Sequence, residues 1–377
     1  MRKTTTKFTA AVTAVLMLLG AGCSNGASGS TATTTAAEIT TTTTTAAETT
    51  TTAAETTTTA AETTTAAETE AETTAETAAE TGAAAEQVKV AALKGPTAMG
   101  MIKFMDDSDS SADSSYEFSI YAAPDELTPL IIQGDVDLAC IPANLASVLY
   151  NKTEGAVEVL AVNTLGVLYI VENGTDEIKS FDDLKGKTIY ASGQGSTPEY
   201  ALNYLLEQNG IRDDVTIEWK SEHAECVTAI SENGGIAMLP QPFVTTAMAK
   251  NEGLHVSLDL TEEWNRLDNG STLITGVVVG RKEFIDAYPA SVADFLTNYE
   301  ASVEYVHSDN DGAAALIGKY EIVPEAVAKK ALPACNITFI SGEEMKTKLS
   351  GYLEVLFGSE AKSVGGKLPA DDFYYIG

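Results

Sequence analysis

Basic residues are scarce in this chain. Its 377 residues hold 23 Lys and Arg against 54 Asp and Glu, a formal net charge of −31. Phosphate contacts and docking on an anionic bilayer both need clustered Lys and Arg, so nucleic-acid and electrostatic membrane binding are disfavoured. Histidine is scarcer still, with only His223, His255 and His307. None stands in an H-E-x-x-H pair or another ligand spacing, so no metal centre is expected. None of the four cysteines lies in a C-x-x-C pair. Ser192 and Ser196 lack a G-x-S-x-G context. The turn Gly193-Gln194-Gly195-Ser196-Thr197-Pro198 lacks the Lys of a phosphate-binding P-loop. No catalytic residue and no cofactor is therefore expected, and an enzyme is disfavoured. Phe8–Leu19 is an apolar run too short to span a bilayer as a mature helix.

What is present falls into three unlike parts. Arg2, Lys3 and Lys7 precede that apolar run, which ends in Leu19-Gly20-Ala21-Gly22-Cys23. A basic start, a short apolar core and small residues at a cut describe a secretory signal over residues 1–22. The Cys directly after the small residues resembles the lipobox of bacterial lipoproteins, although Leu19 stands one step further out than that family prefers. The resemblance implies that Cys23 is lipidated and becomes the anchored N-terminus. From Thr31 to Glu86 every residue is Thr, Ala or Glu except Ile39 and Gly82. Such a segment cannot bury enough apolar surface to offset its ordering entropy. Residues 23–86 are expected to be a disordered acidic tether. As a flexible coil its 63 residues after Cys23 would span about 45 Å. Residues 87–377 are expected to be globular, and with 20 basic against 44 acidic residues they are acidic too.

An internal echo organises the globular part. Val88–Leu93 is an apolar run followed by Lys94-Gly95-Pro96-Thr97 and a helical stretch. Thr188–Ala191 is another, followed by the turn at 192–198 and a helix. Thr97 and Thr197 fall 100 residues apart. Leu138–Pro142 and Ile236–Pro240 likewise each precede a helical run, and Pro142 and Pro240 fall 98 apart. Two strand–turn–helix events repeated in order predict two similar α/β lobes with mainly parallel sheets. Thr197 is the expected N-cap of its helix, with Pro198 at the first helical position. Pro124 opens and Gly134 closes another helix. Of the cysteines, Cys140 lies in an apolar run and reads as a buried free thiol. Glu222-His223-Ala224-Glu225 reads as a solvated helix face. From about Lys282 onward several helices are expected, broken at Pro289, Pro324 and Pro333.

In such sheets a ligand sits beyond the carboxyl ends of the strands. Four turns qualify: 94–99, 142–144, 193–198 and 240–243. Glycines there let backbone approach a ligand, and helix-start N–H groups favour an acidic or carbonyl-bearing group.

The segments VKVAALKGPTAMG (88–100), GDVDLACIPAN (134–144), SFDDLKGKTIYASGQGSTPEYALNYLL (180–206) and GIAMLPQPFVTTAMAK (235–250) carry a resemblance. They are similar to the solute-binding lipoproteins of ABC importers. The group is that of nitrate, sulfonate, taurine and thiamine-precursor binding proteins, with the type II periplasmic-binding fold. The resemblance implies two Rossmann-like lobes joined by two crossover strands, near 157–171 and 271–279. Lobe 1 would be about 87–165 plus 275–377, and lobe 2 about 166–274. It implies solute contacts at Gly95, Pro96, Thr97, Ala98 and Met99 and at Gly193, Gln194, Ser196 and Thr197. Weaker inferences are Asn144, Asn163, Gln241, Phe243 and Thr275. It further implies a monomer that captures a small solute by lobe closure and delivers it to a permease with its ATPase. A surface sensor or adhesin would carry the same signal, tether and cleft. Enzymes of similar fold are intracellular, and the signal argues against them.

Overall fold

The computed structural model describes residues 83–174 and 177–377. The expected signal, Cys23 and most of the tether lie outside the described residues. The last tether residues are docked: Ala85 N–H donates to Ser291 Oγ at 2.8 Å, and Ala83 O accepts from Ala290 N–H at 3.2 Å.

Eleven strands are named among the described residues, in two sheets. They are β1 Val88–Leu93, β2 Tyr116–Tyr121, β3 Leu138–Pro142, β4 Val157–Leu165, β5 Leu168–Asn173, β6 Thr188–Ala191, β7 Thr216–Trp219, β8 Gly235–Pro240, β9 Leu254–Asp259, β10 Ile274–Arg281 and β11 Ile337–Ser341. The first sheet has the order β11-β4-β10-β3-β1-β2, the second β7-β6-β8-β5-β9. In the first, β2, β1, β3 and β4 run one way while β10 and β11 run against them. In the second only β5 is reversed. The fold is thus two α/β lobes with largely parallel sheets, as the echo predicts.

Side-chain alternation places the cores. Val88, Val90 and Ala92 of β1 join one apolar cluster, with helices Ile102–Ser110 and Pro289–Ser308. Ala91 and Leu93 join the other, with helices Pro124–Gln133, Ala143–Lys152 and Gly342–Ser359. A period of two with both faces covered is what a buried sheet demands. The second cluster continues into the other lobe through Tyr200, Leu205 and Trp264. There the Trp264 ring lies 4.7 Å from Tyr204 and 5.7 Å from Tyr352, centre to centre.

Two connections join the lobes. β4 passes through Gly166 and Val167 into β5, and residues 267–273 lead into β10. A Cβ on Gly166 would overlap Thr261 Oγ1 and come within 2.9 Å of Leu273 Cδ2. The two connections run this close only because position 166 has no side chain.

The C-terminal part differs from expectation in one element. Pro289 starts a helix, Pro324 precedes Glu325–Ala331, and Pro333 sits in a 3₁₀ turn. Between them and Gly342–Ser359, however, lies β11, which pairs antiparallel with β4. Cys140, Cys226 and Cys335 are buried and free.

Candidate functional site

Each of the four turns joins a strand to a helix start: Pro96–Met99, Ala143–Lys152, Thr197–Gln208 and Phe243–Lys250. Lys94, exposed, is the one charged side chain in these turns.

In the first lobe the turn after β1 is pinned from behind. Thr97 Oγ1 donates to Leu93 O at 2.7 Å. Asn163 Nδ2 on β4 donates to Thr97 O at 3.5 Å, and Thr164 Oγ1 donates to Asn163 Oδ1 at 3.1 Å. Gly276 on β10 closes this cluster, since a Cβ there would lie 2.5 Å from Asn163 Oδ1 and 2.7 Å from Thr97 Cγ2. Its neighbour Thr275 has a buried Oγ1 with no hydrogen-bond partner among the described residues. Gly95 has φ 132°, and a Cβ built on it would meet nothing within 4 Å, so the turn borders open space. Pro96 is half-buried. Ala98 and Met99 send their side chains into the apolar core, leaving only their backbone to the turn.

In the second lobe, Thr197 does not cap its helix as expected. Ser196 is the N-cap and makes no side-chain capping bond. Thr197 Oγ1 instead donates to Asn144 Oδ1 of the first lobe at 3.2 Å. Both residues are buried, and Asn144 Nδ2 donates onward to Ser363 O at 3.2 Å. Helix Ala143–Lys152 also starts without a side-chain cap, because Pro142 stands at its N-cap. Two uncapped helix starts therefore meet at this point, where N–H groups and helix dipoles both favour an oxygen-bearing group.

The other expected residues are committed locally. Ser196 Oγ donates to Gly193 O at 2.7 Å, Gly193 has φ 85°, and Gln194 is exposed. Gln241 Oε1 accepts from Thr245 Oγ1 at 2.9 Å, and Gln241 N–H donates to Val167 O beside the crossover. The ring of Phe243 lies 4.9 Å from that of His223.

Residues 117–313 match the NMT1/THI5-like family model, over half of the chain. The chain belongs to the NMT1/THI5-like family. The matched span contains three of the four turns; the turn at 94–99 precedes it. Solved structures of similar fold include an ABC transporter protein from Parabacteroides distasonis. It is 22% identical, covers 77% of this chain and 99% of its own, and superposes with a TM-score of 0.66. The periplasmic aliphatic sulphonate binding protein SsuA of Escherichia coli is 16% identical over 78% of this chain and 92% of its own, TM-score 0.64. The alkanesulfonate-binding SsuA of Xanthomonas axonopodis pv. citri, bound to MOPS, is 13% identical over 77% and 96%, TM-score 0.59. These establish the type II periplasmic-binding fold. No curated protein matched the chain by sequence.

Within this NMT1/THI5-like fold, three residues escape a reading of the sequence. Glu222, Ala224 and Glu225 are exposed as expected, but the His223 ring turns inward: Ser192 Oγ lies 2.5 Å from its Nδ1, and burial pushes its imidazole pKa down to about 4. Tyr352 and Ser363 come from the C-terminal chain and lie beside Thr197 and Asn144. The Ser192–His223 pair had a local signal, since both follow strand ends of one sheet; Tyr352 and Ser363 had none.

Proposed function

We propose that this protein is the extracytoplasmic solute-binding subunit of an ABC importer. It is held to the membrane through lipidated Cys23 and a flexible tether over residues 23–86. The lobes are about 87–165 with 275–377, and about 166–274. The observation that carries this reading is the meeting of Thr197 and Asn144, from opposite lobes, at two uncapped helix starts beyond the strand ends. A small solute with acceptor oxygens enters between them. It contacts the backbone of Gly95–Met99 on one side and of Gly193–Thr197 on the other, with Asn144 opposite Thr197 and Asn163, Gln241, Phe243 and Thr275 at the margins. Because it touches both lobes, it binds the closed arrangement more tightly and shifts the population toward it. The closed monomer then docks on a permease, and the tether keeps it at high local concentration there. The fold neighbours named as sulfonate binders and an ABC transporter protein support the reading. No chemical step is assigned to the chain.

Native mass spectrometry of the full chain tests this, on protein purified gently and again after denaturation and refolding. A small adduct lost on refolding is the expected result and gives the solute's mass. No adduct, together with no thermal shift from sulfonates, nitrate, pyrimidines or flavins, would overturn the reading.

A further inference from the structure

The C-terminal chain does more than complete the first sheet. After β11 it forms helix Gly342–Ser359 and then the turn Ala361–Val364. The helix packs on β4 and on helix Thr197–Gln208 of the other lobe. The turn lies against helix Ala143–Lys152, where Ser147 Oγ and Asn151 Nδ2 each donate to Val364 O at 2.8 Å. These ties set Ser363 beside Asn144, while Tyr352 lies beside Thr197. The Thr197–Asn144 contact is thus walled on both sides by C-terminal residues.

Two hydroxyls are left over at that wall. Tyr352 is 0% exposed and Ser363 1%. Ser363 Oγ has no hydrogen-bond partner among the described residues, and Tyr352 Oη has none there beyond its approach to the Thr197 side chain, which falls short of hydrogen-bond geometry. Burying an unsatisfied hydroxyl is unfavourable, and native proteins keep few of them. The indole next to Tyr352 is satisfied, since Trp264 Nε1 donates to Ser271 Oγ at 2.9 Å. The helix starts alone would say little. Two buried hydroxyl-bearing residues beside the same contact, with the Tyr352 hydroxyl turned to Thr197 and the Ser363 carbonyl on Asn144, say that this point is built to hold something polar.

We infer that Tyr352 and Ser363 are solute-contacting residues of the inter-lobe site. They donate hydrogen bonds to acceptor oxygens that take the place of the direct Thr197–Asn144 contact. The set is two hydroxyls from the C-terminal chain, the Thr197 hydroxyl and the Asn144 amide. It contains no Lys, Arg or carboxylate. Carbonyl, carboxylate and sulfonate oxygens find donors there, whereas an ammonium group finds no counter-charge. This rests on the solute-binding reading.

The test uses the full chain, with acetate, methanesulfonate, MOPS and uracil as acceptor-oxygen probes and choline as the cationic control. Tryptophan fluorescence is the readout, because the Trp264 ring lies 5.7 Å from Tyr352, with thermal shift as a second. An acceptor probe that binds the native chain is expected to lose about ten-fold or more in affinity in Tyr352→Phe and in Ser363→Ala, as one charge-free or charge-assisted hydrogen bond is worth. The melting temperature without probe stays within a few degrees. Unchanged affinity in either variant removes that residue from the site, and unchanged affinity in both overturns the inference while leaving solute binding intact. Preferential binding of choline overturns the acceptor-oxygen chemistry. A native chain that carries no adduct and answers no probe overturns the solute-binding reading, and this inference with it.

Discussion

Thr197 Oγ1 reaches Asn144 Oδ1 at 3.2 Å across 53 residues of chain, joining helix starts that belong to different sheets. The bond exists only while the lobes are together. Thr197→Val removes the donor and leaves a buried amide oxygen short of a partner. The urea midpoint should fall by the equivalent of about 1–3 kcal/mol. An unchanged midpoint would mean that the lobes stand apart in solution when no solute is bound.

Gly276 tests the backing of the first turn. A Cβ there collides with Asn163 and Thr97, so Gly276→Ala should destabilise by about 1–3 kcal/mol. Gly358→Ala is the contrast, because a Cβ at that helical position meets nothing within 4 Å. It should stabilise by about 0.5 kcal/mol. Equal behaviour of the two in urea unfolding would show that the Asn163–Thr97 cluster yields freely.

His223 predicts a pH response of definite sign. Burial lowers its folded pKa from 6.5 to about 4. Above pH 6.5 the imidazole is neutral in both states, and its full contribution is present. Between 6.5 and about 4 the unfolded chain takes up a proton that the folded chain refuses, so stability falls as pH falls. His223→Gln cannot take that proton. The difference in melting temperature between pH 7 and pH 5 should therefore be larger for the native chain than for the variant, and parallel pH curves would refute the assignment.

Cys23→Ala addresses the anchor. Fractionated cells should show the native chain with the membranes and the variant in the soluble fraction. Retention of the variant on membranes would exclude lipidation as the attachment.

Much of the architecture was legible because it repeats. The echo of Thr97 by Thr197 and of Pro142 by Pro240 marked β1, β6, β3 and β8 with their following helices. The resemblance placed the crossings near 157–171 and 271–279; the chain passes between the sheets at Gly166 and Val167 and again over residues 267–273, with Thr275 and Gly276 already inside β10. The helix start at Thr197 was misread by one residue, because a Thr before a Pro is an ordinary N-cap unless a partner from elsewhere claims its hydroxyl. Asn144 is that partner, and nothing near 197 in the sequence announces it. The same applies to His223, whose flanking Glu222 and Glu225 suggest solvent while Ser192 and Phe243 enclose its ring. β11, Tyr352 and Ser363 were hidden for a stronger reason. Each has a neighbour far away in sequence, as in the approach of Tyr352 to Thr197 and the bonds of Ser363 to Asn144 and of Leu165 to Asn336, and local pattern carries no trace of such pairings.

The strand order also dictates a sequence of events during synthesis. β10 lies between β3 and β4, and every strand of the second sheet is made before it. A growing chain cut anywhere between Asp259 and Ile274 already holds all five strands of the second sheet. Its first sheet is still split into β2-β1-β3 on one side and β4 on the other. The inserted lobe can therefore fold as a unit while the lobe that began the chain waits for its central strand. Because non-local pairings of this kind close slowly, the first lobe is where a nascent molecule stays open longest, with the unpaired edges of β3 and β4 exposed to misassociation.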